Sequence, residues 1–217
     1  MFGSLAFIAG LAFALVVTWL GLIPQDQALL IGPLTLAATG LSYLGIERFV
    51  ARSESRDITP LLTETEPIWR SVLIALAGIL MAQAGAAAIA LIQTELVGIE
   101  ATEQGSILEL VERGDPTELL VLGISAIVLA PLTEELLFRH MFFRRLVHNS
   151  GPALAFGLSA VAFSLFHFNW SGLVIYVWLG LVFATTYWLS GRVWVAMLTH
   201  AGYNATAFAI LVWAPPV

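Results

Sequence analysis

Long apolar runs dominate this sequence and limit what it can fold into. Seven of them read as helices, at 3–23, 27–46, 70–93, 118–147, 152–168, 171–190 and 193–213. A helix needs about 20 apolar residues to cross the hydrocarbon core of a bilayer. Because 59% of the 217 residues are hydrophobic and only 11% are charged, no separate soluble domain fits. We predict an all-α fold, a polytopic transmembrane bundle of about seven (six to eight) helices, forming a single integral membrane domain over 1–217.

Arginine placement predicts the orientation of these helices, because cytoplasmic loops carry an excess of positive charge. Most arginines fall at one end of the predicted spans: Arg48, Arg52, Arg56, Arg70, Arg144, Arg145 and Arg192. The 94–117 loop carries six acidic residues against Arg113 alone and suits the opposite face. We expect the N-terminus inside and the C-terminus outside, in the plasma membrane of a prokaryote, with membrane lipid as a partner.

Composition also excludes several chemistries. The chain has no cysteine, so it has no disulfide, thiol nucleophile or thiolate metal site. A net charge of −6, with all nine basic residues being arginine, leaves no basic patch large enough for nucleic acid. We expect no nucleic-acid partner, and the sequence carries no signal for an oligomeric state.

A few polar side chains interrupt the apolar runs, although a charge at the bilayer centre costs about 2.5–3.5 kcal/mol on insertion scales. In chain order they are Glu134, Glu135, Arg139, His167, His200 and Asn204. Residues four apart share a helix face, so Glu135 can pair with Arg139. Glu134 points roughly 100° away from Glu135. One carboxylate is therefore free for chemistry while its neighbour is held in an ion pair.

These side chains lie in three short motifs. They are Glu134-Glu135-Leu-Leu-Phe-Arg139, Phe163-Ser-Leu-Phe-His167 and His200-Ala-Gly-Tyr-Asn204. Their order resembles the EExxxR, FxxxH and HxxxN motifs of the CAAX-processing and bacteriocin-processing (CPBP) intramembrane proteases, of the type II CAAX prenyl endopeptidase kind. The resemblance covers 131–204, about a third of the chain. It implies a catalytic four-helix core over 118–213, preceded by N-terminal spans and loops over 1–117.

Peptide hydrolysis needs a held water, a base and donors for the oxyanion. The resemblance and this chemistry together imply Glu134 as general base, with His167 orienting the water. His200 and Asn204 would stabilise the tetrahedral oxyanion. The remaining motif residues would support the site, with Glu135 and Arg139 as a structural ion pair and Phe163 packed nearby. The expected partner is a peptide or protein substrate. Only the resemblance to the family implies that this substrate is prenylated.

A metal-dependent reaction stays open at this stage. Two histidines and a glutamate are the protein ligands of several catalytic zinc sites, so Glu134, His167 and His200 could hold zinc. The family is described both as metalloproteases and as glutamate-dependent proteases without a directly liganded metal. Here the ligands would come from three helices, without HExxH spacing. We slightly favour the scheme that needs no cofactor and keep a divalent metal such as zinc as the alternative.

Two other functions could use the same residues. A non-catalytic membrane scaffold or immunity-type protein of this fold could keep them as hydrogen bonds between helices. An ion or proton transporter could use buried Glu and His as relay groups. We find no inverted repeat or pair of broken helices that would support transport. The three motifs together favour the intramembrane endopeptidase.

The predicted helix lengths place the polar residues at different depths in the membrane, although they would have to meet at one site. At about 1.5 Å per residue, Glu134 and His200 come out nearer the cytoplasmic face than His167 at the end of a straight fifth span. The conflict disappears if the fifth helix starts shallow or if the fourth is broken at Pro131. Either arrangement places the turn after His167 within the membrane or beside a cavity.

Overall fold

The computed structural model describes residues 67–100 and 105–213, together with 37–42 and the single positions 12, 16 and 35. Each element in this part of the chain is a helix. The helices are α1 Ile68–Val97, α2 Gly105–Arg113, α3 Pro116–Ser150, α4 Pro152–Phe166, α5 Leu173–Ser190 and α6 Val193–Trp213. The predicted all-α class is confirmed. The predicted spans 3–23 and 27–46 fall mostly outside the described residues.

Four of these helices are long and apolar enough to cross a bilayer, namely α1, α3, α5 and α6. The chain is an integral membrane protein. The apolar helix α4 has only 15 residues, roughly 22 Å at about 1.5 Å each. Gly151 and Pro152 set its start and it ends before His167. The predicted orientation of the termini stays a prediction.

Helix α3 stays continuous through Pro131 but changes its hydrogen-bond register twice. Ser125–Leu129 and Leu136–Phe143 form wider π turns on either side of the α-helical segment Ala130–Glu135. Pro131 has no N–H and would disturb a regular α-helix, so a local change of register accommodates it. Such turns occur often at functional sites. Helix α3 is thus not broken at Pro131, and Glu134 nevertheless lies 3.7 Å from His167.

Small residues let the helices approach closely. The buried face of α1 consists of Ser71, Ala75, Gly78, Ala82 and Ala86. Helix α5 packs against both α1 and α4. A Cβ added at Gly180 of α5 would lie 2.8 Å from the Cα of Ala160 in α4. The Gly180 carbonyl also accepts a hydrogen bond from Arg139, so this close contact lies beside the polar segment of α3.

Candidate active site

The polar residues of the three motifs meet inside the helical bundle. Helix α3 supplies Glu134, Glu135 and Arg139, the C-terminal end of α4 supplies His167, and α6 supplies His200. His167 is partly buried, and the other four side chains are buried. Residues far apart in the sequence thus form one buried polar cluster in an otherwise apolar protein.

One half of the cluster is a chain of hydrogen bonds through Glu135. Arg139 Nε lies 3.1 Å from Glu135 Oε2, and Arg139 Nη1 donates to Glu135 Oε1 at 3.2 Å. His200 Nδ1 lies 2.9 Å from Glu135 Oε1. Arg139 Nη2 also donates to the carbonyl oxygen of Gly180 at 3.0 Å. Sequence spacing indicated the pair within α3 but missed the bond to α6, because spacing along one helix says nothing about a neighbouring helix.

This chain defines how the ring of His200 is held. A carboxylate that is paired with Arg139 acts as a hydrogen-bond acceptor, so the hydrogen of the shared bond belongs to His200 Nδ1. The ring is also stacked on Phe183, with centroids 4.4 Å apart and planes 18° from parallel. These contacts fix the ring plane, and Nε2 takes no part in the hydrogen bond to Glu135.

The other half of the cluster is Glu134 facing His167. Glu134 Oε2 lies 3.7 Å from His167 Nε2, which is longer than a direct hydrogen bond. Glu134 Oε2 is buried and makes no hydrogen bond with the other residues that the structure describes. His167 Nδ1 lies 2.8 Å from the carbonyl oxygen of Phe163, so Nδ1 carries the hydrogen. In a neutral ring, Nε2 is then an acceptor that faces the carboxylate.

Aromatic rings hold both histidines. His167 stacks on Tyr176, with centroids 4.2 Å apart, and also contacts the ring of Phe163 at 4.6 Å. Phe163 lies 5.8 Å from the ring of His200 as well, and Arg139 covers its face at 4.6 Å. Phe163 therefore packs between the two halves of the cluster.

Helix α5 carries none of the motifs, and its contribution to the site was not predicted from the sequence. Tyr176, Gly180 and Phe183 follow the spacing i, i+4 and i+7, so they share one face of this helix. Tyr176 stacks on His167, Gly180 accepts from Arg139, and Phe183 stacks on His200. Helical periodicity was the available signal, but an apolar stripe looks the same whether it faces lipid or a site.

The side chain of Asn204 makes a hydrogen bond to the backbone of α3. Its Nδ2 donates to the carbonyl oxygen of Ala126 at 2.7 Å. An amide nitrogen carries two hydrogens, so one remains for another acceptor. The predicted oxyanion role of Asn204 stays a prediction.

The turn after α4 is tightly held. Asn169 Oδ1 accepts hydrogen bonds from Ser171 Oγ and the Gly172 N–H, at 3.0 and 2.9 Å. Gln93 Nε2 of α1 donates to the Ser171 carbonyl at 3.1 Å. Phe168 adopts φ 50, in the left-handed region that few non-glycine residues enter. These contacts therefore fix the path of the chain as it leaves α4 after His167.

The N-terminal part also contacts the polar segment of α3. A Cβ added at Gly40 would lie 3.1 Å from Thr133 Oγ1, and Thr133 directly precedes Glu134. Gly40 therefore packs against the residue that precedes the candidate base. The predicted division between 1–117 and 118–213 stays a prediction.

The arrangement does not fit a three-ligand metal site. Among the described residues, no group of three His, Cys, Asp or Glu side chains lies close enough together to hold a metal ion. His200 points Nδ1 at Glu135, while Glu134 and His167 face each other.

Comparison with known proteins finds a match over the region that contains these residues. A family model described as type II CAAX prenyl endopeptidase Rce1-like matches residues 116–206, which covers α3 through α5 and most of α6. The resemblance that the three motifs predicted is thus confirmed over this region, which is less than half of the chain, and the predicted N-terminal spans lie outside it.

Similarity to one curated protein extends beyond the Rce1-like region. The "Putative membrane peptidase YdiL" of Bacillus subtilis (strain 168) is 28% identical over 156 residues. The alignment covers 71% of this chain and 61% of that relative, so the chain spans less than two thirds of the relative's length. No solved structure matches the chain significantly.

Proposed function

We propose that this chain is an intramembrane endopeptidase of the CPBP family that hydrolyses a peptide bond with a water activated by Glu134. The observation that carries the proposal is the pair formed by Glu134 Oε2 and His167 Nε2, 3.7 Å apart. Beside it runs the buried chain Arg139–Glu135–His200. The Glu134 carboxylate can act as a general base because it is not held in an ion pair, whereas the Glu135 carboxylate is paired with Arg139.

The pair suits a water that donates both of its hydrogens. An ionised Glu134 and a neutral His167 with its hydrogen on Nδ1 each present an acceptor. A water donating to both would turn an oxygen lone pair toward a substrate carbonyl. Tyr176 and Phe163 keep the imidazole in place, which would preorganise the pair for this water.

In the reaction, Glu134 takes a proton from the water as the water oxygen attacks the carbonyl carbon. The carbonyl oxygen becomes the oxyanion of a tetrahedral intermediate. Glu134 then returns the proton to the departing nitrogen as the C–N bond breaks, which gives an acid and an amine. The base is thereby restored without any other reactant.

The oxyanion would be stabilised mainly by His200. With its Nδ1 hydrogen donated to Glu135, His200 would donate to the oxyanion from Nε2 in its imidazolium form. Asn204 would add the second hydrogen of its amide. Donors fixed in advance in a dry site are effective because they need no reorganisation during the reaction.

The proposed substrate is a membrane-proximal peptide segment. The description of the matching family names CAAX prenyl endopeptidases, and the bacterial relative is named a membrane peptidase. A prenylated CAAX peptide is therefore the first substrate to test. The comparisons do not favour the scaffold or immunity-type alternative.

The test is cleavage by the purified full chain in detergent micelles or liposomes, using one CAAX peptide with and without its prenyl group. We expect cleavage by the wild type and none by Glu134→Gln, with both proteins melting at the same temperature. The matched control is Glu112→Gln, an exposed glutamate of α2, which should cleave normally. A Glu134→Gln protein with wild-type rates would refute the assignment.

A further inference from the structure

The hydrogen bond between Asn204 and Ala126 lies at the point where Pro131 interrupts α3. In a regular α-helix the carbonyl of Ala126 would accept the N–H of residue 130, and in a π turn that of residue 131. The Ala130 N–H donates instead to Ser125, five residues back. Residue 131 is proline and has no N–H. Neither helical donor is available to Ala126.

Asn204 supplies the missing donor. Its Nδ2 lies 2.7 Å from the Ala126 carbonyl oxygen, which is a short N–H···O distance. In an apolar interior a carbonyl without a partner is costly. The side chain of α6 therefore replaces the backbone hydrogen bond that Pro131 removes from α3.

We infer that Asn204 is a positioning residue, whose amide closes the turn opened by Pro131 and thereby holds Glu134 and Glu135 in register with His200. The inference deepens the proposed function and rests on it for its catalytic consequence. Asn204 and His200 lie one turn apart on α6, so the contact that closes the turn also sets the height of His200 against Glu135.

The geometry explains why the polar segment of α3 can be rigid although it is flanked by two π turns. Pro131 is fully buried, and the α-helical residues Ala130–Glu135 begin directly after the turn that Asn204 closes. If this carbonyl lost its partner, the turn could relax toward another register. A shift by one residue would rotate Glu134 by about 100° away from His167.

A double-mutant cycle tests the inference through stability, without a substrate. Asn204→Ala should lower the melting temperature in detergent, by on the order of 5 °C for a chain of this length. It should also speed amide hydrogen exchange within 125–135. Pro131→Ala restores an N–H to α3. In that background Asn204→Ala should lower the melting temperature by less than half as much.

The control is Thr206→Ala on the same helix, because Thr206 Oγ1 donates to the Gly202 carbonyl within α6 itself. It should change neither exchange in α3 nor the effect of Pro131→Ala. An Asn204→Ala protein as stable as wild type would overturn the inference. Equal destabilisation by Asn204→Ala in the wild-type and Pro131→Ala backgrounds would overturn it as well.

Activity separates positioning from direct contact with the oxyanion. Recovery of both stability and cleavage in the double variant, relative to Asn204→Ala, supports positioning as the main role. Recovery of stability alone also supports the positioning role and adds a catalytic use for the second amide hydrogen. Because melting and exchange require no cleavage, they would still test the positioning role if the proposed endopeptidase function failed.

Discussion

Glu135 Oε1 of α3 accepts a hydrogen bond from His200 Nδ1 of α6 at 2.9 Å. The same carboxylate pairs with Arg139 on its own helix. Two adjacent glutamates are thereby separated by their surroundings, because Glu135 is held from two sides while Glu134 faces His167 across 3.7 Å. Loss of Glu134 and loss of Glu135 should therefore have different effects.

Replacing Glu135 by glutamine should damage both folding and activity. The change leaves the fully buried Arg139 without its charge partner, and breaking a buried pair in this way costs about 3–5 kcal/mol. It also weakens the contact that orients His200. Thermal melting in detergent should show a clear loss for Glu135→Gln and almost none for Glu134→Gln. Equal melting temperatures for the two variants would contradict the division of roles.

Tyr176 should matter through its ring, since the ring stacks on His167 with planes 25° from parallel. We expect Tyr176→Leu to lower kcat by roughly tenfold, the equivalent of about 1.4 kcal/mol of transition-state stabilisation. Tyr176→Phe keeps the ring and should retain most of the activity. Steady-state cleavage rates measure both. If the two variants lost activity equally, the stacking explanation would be wrong.

A methyl group at Gly180 should separate α5 from α4. The added Cβ would lie 2.8 Å from Ala160 Cα and 3.2 Å from its carbonyl oxygen, and overpacking of this kind costs about 1–3 kcal/mol. The Gly180 carbonyl would move away from Arg139, so cleavage should fall together with the melting temperature.

The matched control for Gly180 is Gly157→Ala in α4, where an added Cβ meets nothing within 4 Å. Alanine is the better helix former, so this variant should be as stable as the wild type or slightly more stable. Loss of activity in Gly157→Ala of the size seen in Gly180→Ala would show that the close contact is not the cause.

Chelators should leave the reaction unchanged if Glu134 activates the water without a metal. The test is cleavage by protein treated with 1,10-phenanthroline or EDTA and then dialysed, with metal content measured before and after. We expect the rate to stay within about twofold of the untreated rate. Loss of activity that returns on adding zinc would establish the metal-dependent alternative.

Much of the site could be predicted from the sequence because its residues are unusual where they occur. Glu134, His167 and His200 interrupt apolar runs, and the order of their motifs identified the family that the comparison then matched. The pairing of Glu135 with Arg139 follows from a spacing of four on a helix. Tyr176 and Phe183 could not be recognised, because aromatic residues in an apolar helix are common and carry no mark of what they contact.

The sequence by itself determined that this protein is a bundle of membrane helices, since apolar length and intrahelical spacing are properties of neighbouring residues. Only the tertiary structure decided that Glu135 meets His200, 65 residues away, and that Asn204 meets the Ala126 carbonyl, 78 residues away. Such contacts depend on how closely the small residues of α1, α4 and α5 let the helices pack, and on where the altered turns of α3 aim its carboxylates. Both are results of the assembled bundle, in which each helix is positioned by the others.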